Sequence, residues 1–346
     1  MSTSILTTKL ESFLKELEED LSNARKFRPR YIEISRFIPT NDSDVDKLEE
    51  NILDETITLR AEPSEYKSLT PGDYKKSQIV SIDTSSLRIG ETERGIVAAY
   101  RASIVFFDGE GYSITKLGPF IVNISEGNKA YIYNYFRSLL GLEEVDERKV
   151  PMLYKVVDRV RNFIERYLQI LTAGLIKNGI ILWDGSLTSG TVDTPKEILV
   201  RALKRAEQSG NSVIGVSKSS YLRTINGHRL IDLLSDVYMP SYIKLNDLIR
   251  SETLMRILGD VYAVKFSPHG FTFRVDVHSR DSEEDLKRTY SLCPMFNGYP
   301  DPLRQAHVNC YFTANEVLAL QSYVIKKYNL EVLPEFDIRK FILYPF

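Results

Sequence analysis

Cysteine is almost missing from this chain: Cys293 and Cys310 are the only two in 346 residues, with no CxxC spacing. That argues against a disulfide framework or a cysteine zinc site, and leaves both as small, partly buried apolar residues. No run of about 18 apolar residues is present to span a membrane. The opening MSTSILTTKLESFLKELEED lacks the basic start and apolar centre of a signal peptide, so a cytoplasmic location with no membrane contact is expected. Neither sign of charge dominates, because 45 basic residues face 47 acidic ones for a net charge of −2. Any binding of nucleic acid must therefore come from a local basic groove. GxxxxGK[ST], GxSxG, HExxH and a GxGxxG following a strand are all absent, so phosphate-loop, hydrolase-elbow, zinc-protease and dinucleotide readings have no direct support. Internal repeats and low-complexity tracts are missing too.

What is present is a globular composition, 43% hydrophobic, enough for a sizeable core in one large domain or two modest ones. The chain is organised around Ser77–Ser86, SQIVSIDTSS. There a β-branched run through Ile79, Val80 and Ile82 predicts a buried strand with Asp83 at its carboxyl end. A second delivery of the same kind follows in Gly179–Leu187, GIILWDGSL, where the apolar run ends in Asp184 and Gly185 permits a sharp turn. An aspartate before Thr, Ser or Gly also caps turns and helices, so each alone has a structural reading. The pair, separated by a long helical pattern, is the functional clue.

Taken in order, Leu10, Leu14, Leu17, Leu21 and Ala24 predict an amphipathic helix from about Ser4 to Lys26, packed on its own domain or forming a dimer seam. A second helical pattern runs through Leu48, Ile52 and Ile57, so residues 1–70 read as a helical extension and 71–346 as the main domain. Ile96–Phe107 and Tyr112–Ile124, joined by Asp108-Gly109-Glu110-Gly111, predict a hairpin. From Pro151 to about Lys177 the apolar residues lie within one broad helical arc with Glu165 outside its centre, either reaching the sheet's rim or pairing with Arg161 in solvent. Strand, helix and strand then follow at Gly179, Pro195–Gln208 and Asn211–Ser220, the last delivering Lys218. Hairpin strands followed by crossover units predict an α/β fold, a mixed sheet flanked by helices, with Asp83, Asp184 and Lys218 converging on one edge.

Beyond this, Ser241–Leu258 reads as helical, Val261–Phe266 and Phe271–Val277 as strands, and Asp281–Arg288 as a solvated helix face. Pro300 and Pro302 stiffen a loop that presents Tyr299 and His307, and an amphipathic segment runs on to about Tyr328. The apolar ends of the chain, including Phe336–Phe346, are candidates for contact with a partner or a second subunit. Carboxylates without cysteines prefer hard cations such as Mg²⁺ or Mn²⁺, which suits metal-dependent phosphoryl transfer.

The ordered set IDTSS, a helical glutamate ahead of WDGSL, GVSK at Gly215–Lys218 and GYPDPLRQAH at Gly298–His307 resembles the archaeal NurA nucleases over roughly Ile79 to Phe312. The resemblance implies a ribonuclease H-like core and a Mn²⁺-dependent centre, with Mg²⁺ as substitute. It implies single-strand endonuclease and 5′–3′ exonuclease activity on single- and double-stranded DNA. It also implies a homodimer working with a HerA-type hexameric ATPase, a translocase, in DNA end resection and recombinational repair. Carried over by position, Asp83, Glu165 and Asp184 are metal ligands and catalytic carboxylates. Tyr299 and His307 complete the site, His307 touching metal or phosphate or moving a proton, and Lys218 offsets phosphate charge. One departure is Asp-Thr-Ser-Ser where many relatives have Asp-Gly-Ser. Two other readings stand beside this one: a catalytically silent DNA-binding regulator of such a motor, and an actin-like or sugar-kinase-type phosphotransferase. The phosphotransferase reading lacks the glycine its phosphate loop needs between Asp83 and Arg88.

Overall fold

The computed structural model describes residues 8, 12, 13, 17, 20–30, 58–63, 65–190, 195–220, 222–249 and 256–333. The helical pattern through Leu48, Ile52 and Ile57 and the Phe336–Phe346 run lie outside them.

The strands are β1 (Lys26–Pro29), β2 (Lys67–Ser68), β3 (Ile79–Thr92), β4 (Gly95–Phe107), β5 (Tyr112–Ser125), β6 (Ile180–Asp184), β7 (Ser212–Ser217), β8 (Ser241–Lys244), β9 (Asp260–Lys265), β10 (Thr272–His278), β11 (Met295–Phe296), β12 (Tyr299–Pro300) and β13 (Glu331–Val332). The helices are α1 (Lys129–Leu139), α2 (Leu153–Thr172), α3 (Lys196–Gln208), α4 (Ser282–Leu292), α5 (Asp301–Cys310) and α6 (Ala314–Tyr328). All strands except the β11–β12 pair join one mixed sheet. Its centre runs β5-β4-β3-β6-β7, three antiparallel strands continuing into two parallel ones, which is the ribonuclease H-like arrangement.

Strand alternation explains the two layers. Val80, Ile82, Ile181 and Trp183 turn to one face, where they bury against Val156, Val160, Phe163 and Ile164 of α2. Ile79, Ile180 and Leu182 turn to the other, against Leu303 of α5. Buried on both faces, β6 reads as a continuous apolar run instead of an alternating one. The Arg-x-Asp of β10 interrupts this apolar character, and both charges are fully buried there.

Several expectations need correction. β3 does not end at Asp83 but continues to Thr92, because antiparallel pairing to β4 runs on to Glu91. What stops near Asp83 is the pairing with β6, whose last register pair is Ile82 with Trp183. On that same edge β1 pairs only with Gly90–Thr92, so among the described residues no strand lies alongside 83–88 there, which leaves a notch. The N-terminal helix gives way to a 3-10 turn at Asp20–Asn23 and then to β1, short of Lys26. The described members of its stripe, Leu17, Leu21 and Ala24, are buried within this chain. α2 stops at Thr172, before Lys177. Ser241–Lys244 is a strand paired to β9 and not the start of a helix.

The charge run at Asp281 does form a helix, capped by the Asp281 side chain on the Glu284 amide, yet one face packs. Glu283 accepts from the Tyr242 hydroxyl at 2.6 Å and pairs with Lys67 at 3.0 Å and Lys287 at 3.2 Å. The tyrosine hydrogen bond, followed by the two lysines and opposed by burial, holds its carboxyl down at about 2. A depressed folded-state value stabilises the fold above the unfolded value near 4.5 and is lost as pH falls through about 2. Glu283→Gln is therefore expected to lose about 1 kcal/mol at pH 7, after discounting for solvent screening. The difference from wild type should close near pH 2. Urea unfolding across that range checks it.

Candidate active site

The strand order brings the carboxyl ends of β6 and β7 beside the point where β3 leaves β6. Asp83 lies just beyond the last β3–β6 pair, Asp184 ends β6 opposite Val216, and Lys218 follows β7 directly. Lys218 reaches across to Asp184, Nζ to Oδ2 2.6 Å. Burial works against the lysine's charge, but Asp184 and then Asp83 hold its ammonium above its ordinary value.

His307 arrives on a helix, not a loop. Asp301–Cys310 is α5, with Pro302 inside its first turn, where a proline's missing N–H is no loss. α5 lies across β3 and β4 and is pinned by the Ser81 hydroxyl, which donates to the Pro302 carbonyl at 2.7 Å. Ser81 and Asp83 share a face of β3, so the same docking delivers His307 Nδ1 to Asp83 Oδ2 at 2.8 Å. An ionised carboxylate only accepts, so Nδ1 carries the proton and Nε2 is left for other work. Asp83 Oδ1 accepts from the Thr84 amide at 2.8 Å. Burial opposes its ionisation, yet His307, Lys218 and this amide together hold its carboxyl below the ordinary range.

Glu165 stands on α2, across the strand. The Thr84 hydroxyl donates to Glu165 Oε2 at 3.1 Å, Gln169 to Oε1 at 3.3 Å, and Arg161 lies 3.7 Å away. The solvated and rim readings are thus both partly met: Arg161 is a partner, but the carboxyl is buried beside the β3 notch. Burial, aided by the Asp83 charge and opposed by Arg166 and Arg161, pushes it up to about 7.

Tyr299 sits on β12 with Lys218 Nζ 5.5 Å over its ring and Phe273 at a centroid distance of 5.5 Å. Its hydroxyl is buried and has no hydrogen-bond partner among the described residues. Burial, then the Asp184 and Asp83 charges, raise its phenol well above the ordinary value, so it remains a donor, oriented in the field of both carboxylates.

Two single residues and one pair escaped the sequence reading. Thr84 links Asp83 to Glu165. Cys310, one helical turn beyond His307, places its sulfur in a cluster with Asp83 and His307 whose ligand-type atoms all lie within 4.8 Å of one another. The His-x-x-Cys spacing of a helix was the signal. Burial pushes that thiol up, and a neutral thiol is a poor ligand. The Asp83–His307 oxygen and nitrogen donors, with the buried, unpartnered Tyr299 hydroxyl nearby, therefore fit a hard or borderline cation such as Mn²⁺ or Mg²⁺. Asp184 and Glu165 stand outside that three-atom cluster, held by Lys218 and by Thr84 and Gln169.

The third is Asp276 with its partner Arg274. Arg274 Nε and Nη2 each donate to the Asp276 carboxylate at 2.9 Å. Asp276 Oδ2 also accepts the Leu187 amide at 2.8 Å, and Arg274 Nη2 donates to the Thr188 hydroxyl at 2.9 Å. The pair thus clamps the turn that leaves Asp184. Gly215 beneath it has no room for a side chain, since a Cβ there would lie 2.6 Å from the Gly185 carbonyl oxygen.

Fold and site together define a ribonuclease H-like α/β protein with carboxylates, a lysine and a histidine gathered at the strand ends. No protein-family model and no curated protein matches the chain. In fold it is similar to the crystal structure of the NurA nuclease from Sulfolobus solfataricus (TM-score 0.49, 18% identity, covering 82% of this chain and 92% of that one). It is likewise similar to a NurA bound to dAMP and manganese (0.44, 10%, 94% and 97%) and to endonuclease V from Streptomyces avermitilis (0.34, 14%, 82% and 96%). Function has to be argued from the residues of the site. No helix among the described residues is long and apolar enough to cross a membrane.

Proposed function

We propose that this chain is a DNA nuclease that hydrolyses phosphodiesters with the help of a divalent cation, Mn²⁺ with Mg²⁺ as substitute. The observation that carries the reading is the meeting of Asp83 and Asp184 on adjacent parallel strand runs, with His307 bonded to the first at 2.8 Å and Lys218 to the second at 2.6 Å. Asp83 and His307 would hold the ion, with Asp184 and Glu165 the further carboxylates. When bound, such an ion polarises the phosphodiester and lowers the pKa of water.

The remaining roles belong to the protein. Lys218 brings a compact positive charge to the phosphate, and its ion pair keeps Asp184 from straying. The Nδ1–H···Oδ2 bond to Asp83 fixes the His307 ring, so that Nε2 is the nitrogen it would offer the ion. Tyr299 would add a buried hydroxyl donor close enough to feel the charges of Asp184 and Asp83. The finer features, single-strand endonuclease and 5′–3′ exonuclease action, a homodimer and a HerA-type hexameric translocase in end resection, are proposed on the resemblance of the IDTSS, WDGSL, GVSK and GYPDPLRQAH motifs.

The test is incubation with 5′-labelled and 3′-labelled single-stranded and duplex DNA in Mn²⁺, Mg²⁺ or EDTA. Cleavage is expected in Mn²⁺, less in Mg²⁺ and none in EDTA, with the two labels reporting polarity. Protein that binds DNA but leaves it intact in Mn²⁺, even beside a HerA-type partner, would instead be the silent regulator.

A further inference from the structure

We propose that Phe271 and Phe296 form a stacking platform for unpaired bases of a nucleic-acid strand, at the mouth of the Asp83–Asp184 centre. The proposal rests on the nuclease reading and names what that site would hold beyond the scissile phosphate.

Tyr299 cannot serve this purpose, because Lys218 lies over its ring and Phe273 packs beside it. The two phenylalanines next to it are free on the surface. Phe271 is 77% exposed and Phe296 50% exposed. Isolated exposed apolar residues are common, but these two share a place. Phe296 pairs directly with Tyr299 across the β11–β12 hairpin. Phe271 immediately precedes β10, two residues before the Phe273 that packs against Tyr299. The turns that carry them touch, since a Cβ on Gly298 would lie 3.0 Å from the Ser267 side chain. From Tyr299 the line continues through Lys218 to Asp184 in two short contacts, 5.5 and 2.6 Å.

Rigidity and charge favour a base as the occupant. The Phe271 turn is closed by a Gly270 amide to Ser267 carbonyl bond of 3.0 Å and stiffened by Pro268, so little ordering is required on binding. Arg304 stacks 4.3 Å from the Phe296 ring centroid while Asp301 holds its guanidinium at 2.6 Å. That leaves one ring face beside a cation, the pairing of aromatic surface and positive charge on which single strands are bound without sequence preference.

The measurement is the affinity of fluorescent oligo(dT), and of a blunt duplex as control, in EDTA so that nothing turns over. Phe271→Ala and Phe296→Ala are each expected to weaken oligo(dT) binding by about 5- to 100-fold, with the duplex little changed. Tryptophan at either position should restore binding. Equal loss on both DNAs, no loss on either, failure of the wild type to bind oligo(dT), or a change confined to the oligomeric state of the protein would each overturn the platform. The two readings fail separately. Wild type that needs both rings to bind yet leaves DNA uncut in Mn²⁺ refutes the nuclease and keeps the platform, whereas variants that bind and cut normally do the reverse.

Discussion

Asp276→Leu is expected to cost the fold about 3–5 kcal/mol, because it removes the buried carboxylate that two Arg274 nitrogens and the Leu187 amide share. Arg274 and Asp276 are both fully buried, and their carboxylate accepts three donors: two from Arg274 and the amide of Leu187. Removing the whole pair differs from removing half of it. Arg274→Leu with Asp276→Leu should recover most of the lost stability, since an apolar pair of similar size is often neutral against a buried ion pair. Recovery of stability does not restore the clamp on Leu187 and Thr188, so cleavage by the double variant should stay low. Urea unfolding of the two variants decides the first part: a single substitution costing under about 1 kcal/mol would mean the charge finds water.

Asp83→Asn should abolish the proposed cleavage, by on the order of 10² to 10⁴ in rate, while leaving the fold intact. Asparagine keeps the shape and can still accept from the Thr84 amide, but it loses the charge that orders His307 and the affinity of a carboxylate for a hard cation. The check is a melting curve within a few degrees of wild type, followed by single-turnover cleavage in Mn²⁺. A folded Asn variant that cuts at the wild-type rate would remove Asp83 from the mechanism.

The sequence made the hairpin legible to within about a residue at its outer ends, because Asp108-Gly109-Glu110-Gly111 interrupts two long β-rich runs. The Ile180–Asp184 strand was equally plain, being apolar on both faces. β3 beyond Asp83 was hidden because Thr84, Ser85, Ser86 and Arg88 read as a polar break, whereas pairing along β4 needs backbone groups only. Leu245, Leu248 and Ile249 imitate helical spacing, but they pack, Leu248 only partly buried, around a 3-10 turn that follows a strand too short to show its own period. The prolines of α5 suggested a loop, although the first turn of a helix accepts them. For the site, Asp184 and Lys218 could be placed together from strand ends alone, and Asp83 beside them although β3 itself runs on. The Asp83–His307 bond could not, because it depends on a helix docking through Ser81 far away in sequence, and no periodicity records that.

The Asp83–His307 bond joins residues 224 positions apart. Ribosomes add about 5–20 residues per second, so some 10–45 seconds separate the making of its two ends. Through that interval the nascent chain can carry Asp83, Glu165, Asp184 and Lys218 on a growing sheet without the imidazole that completes them. A chain released early, at any point before α5, would have the sheet's carboxylates but not His307. If the proposed cleavage needs His307, it cannot arise on the ribosome before α5 has been made.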